Sequence, residues 1–196
     1  ETGFTNIVTK YLELSSKEKI KKKIFNIPIE GCLSQNESGK LQYNNPGIRI
    51  KDLDEVPSPY LSGILDEFFD GKLSPMIQSN RGCPFSCTFC TDGSDLVKQV
   101  NKFSIDRVKN ELEYIAKKVP KNIHSMTISD LNFGMYPRDL EICQTISDCQ
   151  KKYEYPNIIQ ASTGKNQKEK IINAIKSLNG ALRLSMSVQS MDQEVL

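Results

Sequence analysis

Apolar and polar positions in the chain follow two different periods, and the switches between them mark the elements. Over residues 104–118, Ile105, Val108, Leu112, Ile115 and Val119 recur every three or four positions, one stripe of a helix behind Ser104 with Pro120 as its stop. A second helix opens at Pro137 with Leu140, Ile142, Ile146 and Cys149, and a third gathers Ile171, Ile172, Ile175 and Leu178 before Asn179-Gly180. Between them the period falls to two. Met126 and Ile128 alternate with Ser125, Thr127 and Ser129 in a strand over 123–130, and Leu182, Leu184, Met186 and Val188 alternate with Arg183, Ser185, Ser187 and Gln189 in a strand over 181–189. Short strands at 75–79 and 158–163 complete the series.

Strands alternating with helices predict βαβ units and a parallel sheet, and four units in a row fit a barrel or a doubly wound sheet. A parallel strand covered on both faces is continuously apolar, yet two of these strands keep one polar face. That selects a barrel with helices outside and a lumen that holds a polar ligand; a sheet with one face in water is the alternative.

The first 74 residues obey no such rule. Phe4, Ile7, Val8, Tyr11 and Leu12 share a helical face, and five lysines within 17–23 read as a solvated link. Asn36-Glu37-Ser38-Gly39 is a hairpin-type turn in a small β element. Pro57 and Pro59 interrupt any regular element before a short helical pattern from Leu61 to Asp70. We place a boundary near residue 74, with an N-terminal helix-plus-hairpin linker region at 1–74 and the core at 75–196. The opening Glu1-Thr2-Gly3-Phe4 carries no secretion signal, which points to the cytoplasm, and the closing Asp192-Gln193-Glu194 reads as the first turn of a further helix. Both ends suggest a piece of a longer polypeptide.

Charge excludes several classes of partner. Twenty-six Lys and Arg against 24 Asp and Glu leave a net +2, so no global field favours nucleic acid or an acidic membrane. With 38% apolar residues the composition is globular, and no apolar run approaches the roughly 18 residues of a membrane span.

The chemistry sits in the loop after the first core strand, where Cys83, Cys87 and Cys90 follow a C-x3-C-x2-C spacing. Three causes compete. Disulfides need even partners and an oxidising compartment. Structural zinc needs four Cys or His ligands, and His124, the chain's one histidine, lies at the far end of its strand from Asp130, roughly 20 Å away. Cys32, Cys143 and Cys149 read as packed small hydrophobes. A 4Fe-4S cube accepts four thiolates, so three leave one iron open to a substrate or cofactor.

With Phe89 just before the third cysteine, this loop resembles that of the radical S-adenosylmethionine (radical SAM) superfamily. The resemblance covers residues 75–196 and implies a partial (β/α)6 TIM-like barrel, of which about four β/α units are present. It implies an enzyme with a 4Fe-4S cluster on Cys83, Cys87 and Cys90, whose open iron chelates S-adenosylmethionine. Reductive cleavage then yields a 5′-deoxyadenosyl radical, with an external one-electron reductant of the flavodoxin or ferredoxin kind as partner. It also implies positions for cofactor-binding residues. Phe89 falls near the adenine or walls the cluster from solvent. Where the family carries a Gly-Gly-Glu-like element, this chain has Asp130-Leu131-Asn132-Phe133-Gly134, which keeps a carboxylate and loses the glycine pair; Asp130 and Asn132 are carried over from it. Thr163 and Lys165 end the third strand, and Ser187 and Gln189 lie on the polar face of the fourth. Arg81 stands two residues before Cys83, where it either raises the cluster's potential or pairs with a surface acid.

Lys51 to Tyr60 resembles the joint of radical SAM proteins that carry an N-terminal cobalamin-binding domain. The Asp-x-His-x-x-Gly element of that domain is absent, so if the chain is of that subfamily it should bind no cobalamin alone, and cobalamin is possible only in the full-length protein. A non-catalytic iron–sulfur electron carrier and a zinc-stabilised binding module are the rival readings. The substrate is not legible.

Overall fold

The computed structural model describes residues 2–15, 27–36, 38–45, 47, 49–95, 98–164, 166–183 and 191–194. The chain divides into two compact units, Glu1–Ile50 and Lys51–Leu196.

In the first unit, helix α1 (Thr2–Ser15) is followed by an antiparallel hairpin of β1 (Leu33–Gln35) and β2 (Leu41–Tyr43). The turn forms as the sequence predicts. The Asn36 side-chain oxygen accepts from the backbone N–H of Ser38 and of Lys40, and Gly39 takes a positive φ of 78°. A β-carbon at Gly3 would lie 2.7 Å from the Gly31 carbonyl oxygen, so the start of α1 meets this loop backbone to backbone. The lysine run lies outside the described residues.

In the second unit, β3 (Met76–Ile77), β6 (Ser125–Phe133) and β7 (Ile158–Thr163) form a parallel sheet in the order β3-β6-β7. Leu182 continues it with a parallel bridge to Ile159, whose N–H donates to the Ala181 carbonyl. The rest of the expected last strand, 184–189, lies outside the described residues. The connections between sheet strands are helical: α2 (Ile105–Lys118) between β3 and β6, α3 (Pro137–Tyr153) between β6 and β7, and α4 (Lys168–Lys176) after β7.

Each helix forms for reasons written locally. Ser104 caps α2 by accepting from the Arg107 N–H, and Lys117 and Lys118 lie in its last turn, against the negative end of its dipole. Its stripe buries Val108, Leu112 and Ile115. Pro137 starts α3, and Asp139 in the first turn accepts from the N–H groups of Gly134 and Tyr136. Ile142, Cys143, Ile146 and Cys149 all face inward. Burial pushes the Cys143 thiol up to about 12 and the Cys149 thiol to about 11, so both behave as the small hydrophobes expected of them.

Two features depart from the expected pattern. The predicted helical stretch at 61–70 is a series of turns with a short 3-10 turn at Asp66–Phe68, because Gly63 takes a φ of 78° that a helix does not accommodate. The stretch 51–73 is also tied to the core rather than apart from it, and the boundary expected near 74 falls inside the second unit. The Tyr60 hydroxyl donates to the Met76 carbonyl at 2.9 Å and accepts from its N–H at 3.1 Å. Asp54 accepts from the Ser104 N–H, and the Arg107 guanidinium donates to the Val56 carbonyl. Among the described residues no helix is long and apolar enough to cross a membrane.

Tyr60→Phe removes both hydrogen bonds to Met76 and should cost about 1–2 kcal/mol. Urea denaturation checks this; an unchanged midpoint would contradict the strap.

Candidate metal centre

The cysteine loop leaves the carboxyl end of β3 and is closed at its base by a ladder the sequence does not reveal. β4 (Asn80–Arg81) pairs antiparallel with β5 (Asn101–Lys102), and the Phe103 N–H donates to the Ser79 carbonyl at 3.1 Å. Two-residue strands carry no period, so no hydrophobic pattern could have found them. The ladder brings the two ends of the 82–100 loop together.

The base is gripped by Asp130. This carboxylate is 1% exposed. Its Oδ1 accepts from the N–H of Ser79 at 2.7 Å and of Asn80 at 3.2 Å, and its Oδ2 accepts from the Asn80 amide at 2.8 Å and from the Ser79 hydroxyl. An ionised carboxylate offers about four acceptor sites, and four donors meet them. Burial pushes the Asp130 carboxyl up from its ordinary value, opposed by these hydrogen bonds and by the nearby Arg138 charge. The resemblance put Asp130 against the cofactor. The structure instead spends its whole acceptor capacity inward, on the residues that lead into the cysteine loop.

Beyond the ladder the loop is shaped by glycine at two points. Gly82, with φ of 112°, turns the chain into Cys83. Gly93 follows the third cysteine in a 3-10 turn, where an added β-carbon would lie 2.5 Å from the Cys87 carbonyl oxygen. The Cys90 N–H donates to the Cys87 carbonyl at 3.1 Å, so these two cysteines share one turn. All three thiols are free: Cys83 and Cys87 are half-buried and Cys90 is exposed. Among the described residues no group of three or more His, Cys, Asp or Glu side chains is gathered closely enough to hold a single metal ion. A cube needs no such convergence, because each thiolate binds a different corner. The donor set therefore fits a cluster: three unpaired thiols on one loop, accessible from outside, with its base fixed.

The other expected residues divide. Asn132 is 4% exposed, and its amide nitrogen lies 3.4 Å from the Cys83 sulfur. Thr163 ends β7 in register with Phe133, which sets it at the same carboxyl edge of the sheet as Asn132. Phe89 is 73% exposed on the loop. Arg81 donates to the Gln78 side chain at 2.7 Å, and its guanidinium lies 5.7 Å from the Phe103 ring, to which Arg107 is also close at 4.4 Å. Lys165, Ser187 and Gln189 lie outside the described residues. His124 sits at the opposite end of β6, where its carbonyl accepts from Asn157 and Ile158.

A second buried carboxylate lies near the first. Asp139 is fully buried, its Oδ1 has no hydrogen-bond partner among the described residues, and its carboxyl is raised to about 6, mainly by burial, with Asp130 adding to the rise and Arg138 opposing it. Burial also raises the Tyr136 phenol, with Cys83 the next contributor. Lys102 lies 4.9 Å from the Tyr136 ring.

Comparison with known proteins agrees with this geometry. The family model for the Radical SAM superfamily matches residues 77–196, and the chain belongs to that superfamily. It is 31% identical over 160 residues to the 2-(S-pantetheinyl)-carbapenam-3-carboxylate methyltransferase of Streptantibioticus cattleyicolor, covering 77% of this chain and 23% of that protein. It is 31% identical over 157 residues to the cobalamin-dependent radical SAM methyltransferase TokK of Streptomyces tokunonensis, covering 76% and 23%. A structure of the cobalamin-dependent S-adenosylmethionine radical enzyme OxsB, with aqua-cobalamin and S-adenosylmethionine bound, matches with a TM-score of 0.53 at 19% identity. That match covers 92% of this chain and 25% of OxsB and is a likeness of fold. The chain thus spans about a quarter of the length of these proteins.

Two outcomes follow from the carboxylates. Asp130→Ala strands four donors in a buried site and should cost about 3–5 kcal/mol in denaturant titrations; a loss below about 0.5 kcal/mol would contradict the grip. The Asp139 value of about 6 lies above the ordinary 3.8, so between the two the native state binds a proton that the unfolded chain does not. Stability should therefore gain from this group as pH falls from 7 through 6 towards 4. Asp139→Asn keeps an oxygen for the Gly134 and Tyr136 donors and removes that gain. The wild-type Tm minus the variant Tm should rise as pH is lowered; a constant difference would contradict the assignment.

Proposed function

We propose that this chain carries the cluster-binding part of a radical SAM enzyme, with Cys83, Cys87 and Cys90 holding a 4Fe-4S cluster and the remaining coordination position open to S-adenosylmethionine. One observation carries the reading: three free thiols on a single loop, its ends pinned by the β4–β5 ladder, at the carboxyl end of a parallel sheet in a chain of this superfamily. Ligands of such sheets bind at that edge. When bound, the cluster and cofactor supply reductive cleavage to a 5′-deoxyadenosyl radical.

The residues of the chain hold and orient. The Asp130 grip and the ladder fix the base of the loop, which holds Cys83 against Asn132 and leaves Cys90 exposed. Phe89 stacks on or shields the cofactor, Thr163 and Asn132 border the site from the neighbouring strand ends, and Lys165, Ser187 and Gln189 extend it. Residues 75–196 act as about four units of a (β/α)6 barrel, to which the stretch 51–73 is tied. The electron comes from an external flavodoxin- or ferredoxin-like donor. A self-contained electron carrier fits less well, because a fully ligated cube needs a fourth protein ligand. Cys143 and Cys149 are buried within the α3 packing. The two relatives of 31% identity are both methyltransferases, which favours methyl transfer as the reaction class, and the one named cobalamin-dependent favours cobalamin as a further cofactor, held by sequence other than this chain's own.

The test is anaerobic reconstitution followed by electron paramagnetic resonance of the reduced protein with and without S-adenosylmethionine. The reading predicts a 4Fe-4S signal that changes when the cofactor is added. Alanine at Cys83, Cys87 or Cys90 should abolish the signal, whereas Cys143→Ala should keep it. A signal indifferent to S-adenosylmethionine would favour the electron carrier, and stoichiometric zinc in place of iron would overturn the reading.

A further inference from the structure

The family's element at the end of the second sheet strand is replaced here by a sequence whose two polar side chains do different work. Asp130 turns to the loop base, and Asn132, two residues on, meets a cluster ligand: its amide nitrogen is 3.4 Å from the Cys83 sulfur. A thiolate is an acceptor and nothing else, so the amide must face it with N–H rather than with its carbonyl oxygen. The side chain is 4% exposed. Its backbone carbonyl accepts from the Met135 N–H, and its neighbour Phe133 is in register with Thr163, so the donor stands on a fixed strand end rather than on a mobile loop. A register shift between Ile128 and Phe133 sets this strand end.

We propose that Asn132 is a positioning residue for the cluster, which donates a hydrogen bond to the Cys83 thiolate and raises the cluster's reduction potential. The inference rests on the function proposed above. Reduction adds an electron to a cube that already carries thiolate charge, and a donor at sulfur stabilises the more electron-rich state. An amide supplies that donor without a charge. An aspartate at the same position would place a carboxylate against the sulfur and disfavour reduction. The chain thus has acid at 130, where four donors surround it, and amide at 132, where a thiolate does.

The experiment compares the wild-type chain with Asn132→Asp and Asn132→Leu after anaerobic reconstitution. Iron and sulfide content and thermal melts are measured first, then the midpoint potential by dithionite titration with mediators. Both variants should titrate at more negative potential than wild type, Asn132→Asp further than Asn132→Leu. Loss of the donor should shift the reduction equilibrium about tenfold, which is about 59 mV for a one-electron couple. A merely structural role would lower the melting temperature and leave the potential of the bound cluster in place. Should either variant fail to take up iron, the wild-type protein grown with 15N-asparagine answers the same question. Nitrogen hyperfine coupling to the reduced cluster supports the bond, and its absence overturns it. A wild-type chain that forms no 4Fe-4S cluster defeats the proposed function itself. A wild-type cluster with unshifted potentials in both variants defeats this inference alone.

Discussion

The arrangement of the candidate site depends on one buried carboxylate. Asp130 accepts from two backbone N–H groups, one hydroxyl and one amide, all from Ser79 and Asn80. An ionised carboxylate away from water is costly unless its acceptor positions are filled, and here the donors come from the two residues that join the sheet to the cysteine loop. The grip therefore fixes β6 to the loop base across about fifty positions of sequence. Without it β4 would rest on the short ladder to β5 and on the contacts of Arg81 with Gln78 and Phe103, a weaker hold on the direction in which the chain leaves the sheet.

From that anchor the order of events along the chain is short. Gly82 turns the backbone, Cys83 meets Asn132, and the chain runs through a turn that Cys87 and Cys90 share. A base held by hydrogen bonds and a tip exposed at Cys90 suit the cluster binding proposed for this loop. The strap at 51–73 is tied to β3 through Tyr60 on Met76 and to the start of α2 through Asp54 on Ser104.

Much of the scaffold was legible because its elements are long enough to show a period. The α2 stripe, the Ser104 cap, the Pro137 start and the 158–163 strand all appear where the apolar spacing and the local stop signals put them. The three cysteines were legible from spacing alone. The ladder of β4 and β5 was not, since two residues cannot alternate, and Gly93 was not, since its need arises only when the loop folds back on Cys87. The inward hydrogen bonds of Asp130 were not legible for a related reason. A resemblance supplies the position of a polar residue at a strand end, whereas the direction of its side chain depends on what the preceding strand offers it, and Ser79 and Asn80 are distant in sequence.

The central claim is that three thiols of one anchored loop bind a four-iron cluster and leave one corner open. Mössbauer spectroscopy of the 57Fe-reconstituted chain tests it most directly. The account predicts one iron site distinct from the other three, whose isomer shift increases when S-adenosylmethionine is added. Four sites that all keep sulfur coordination, unaltered by the cofactor, would contradict it.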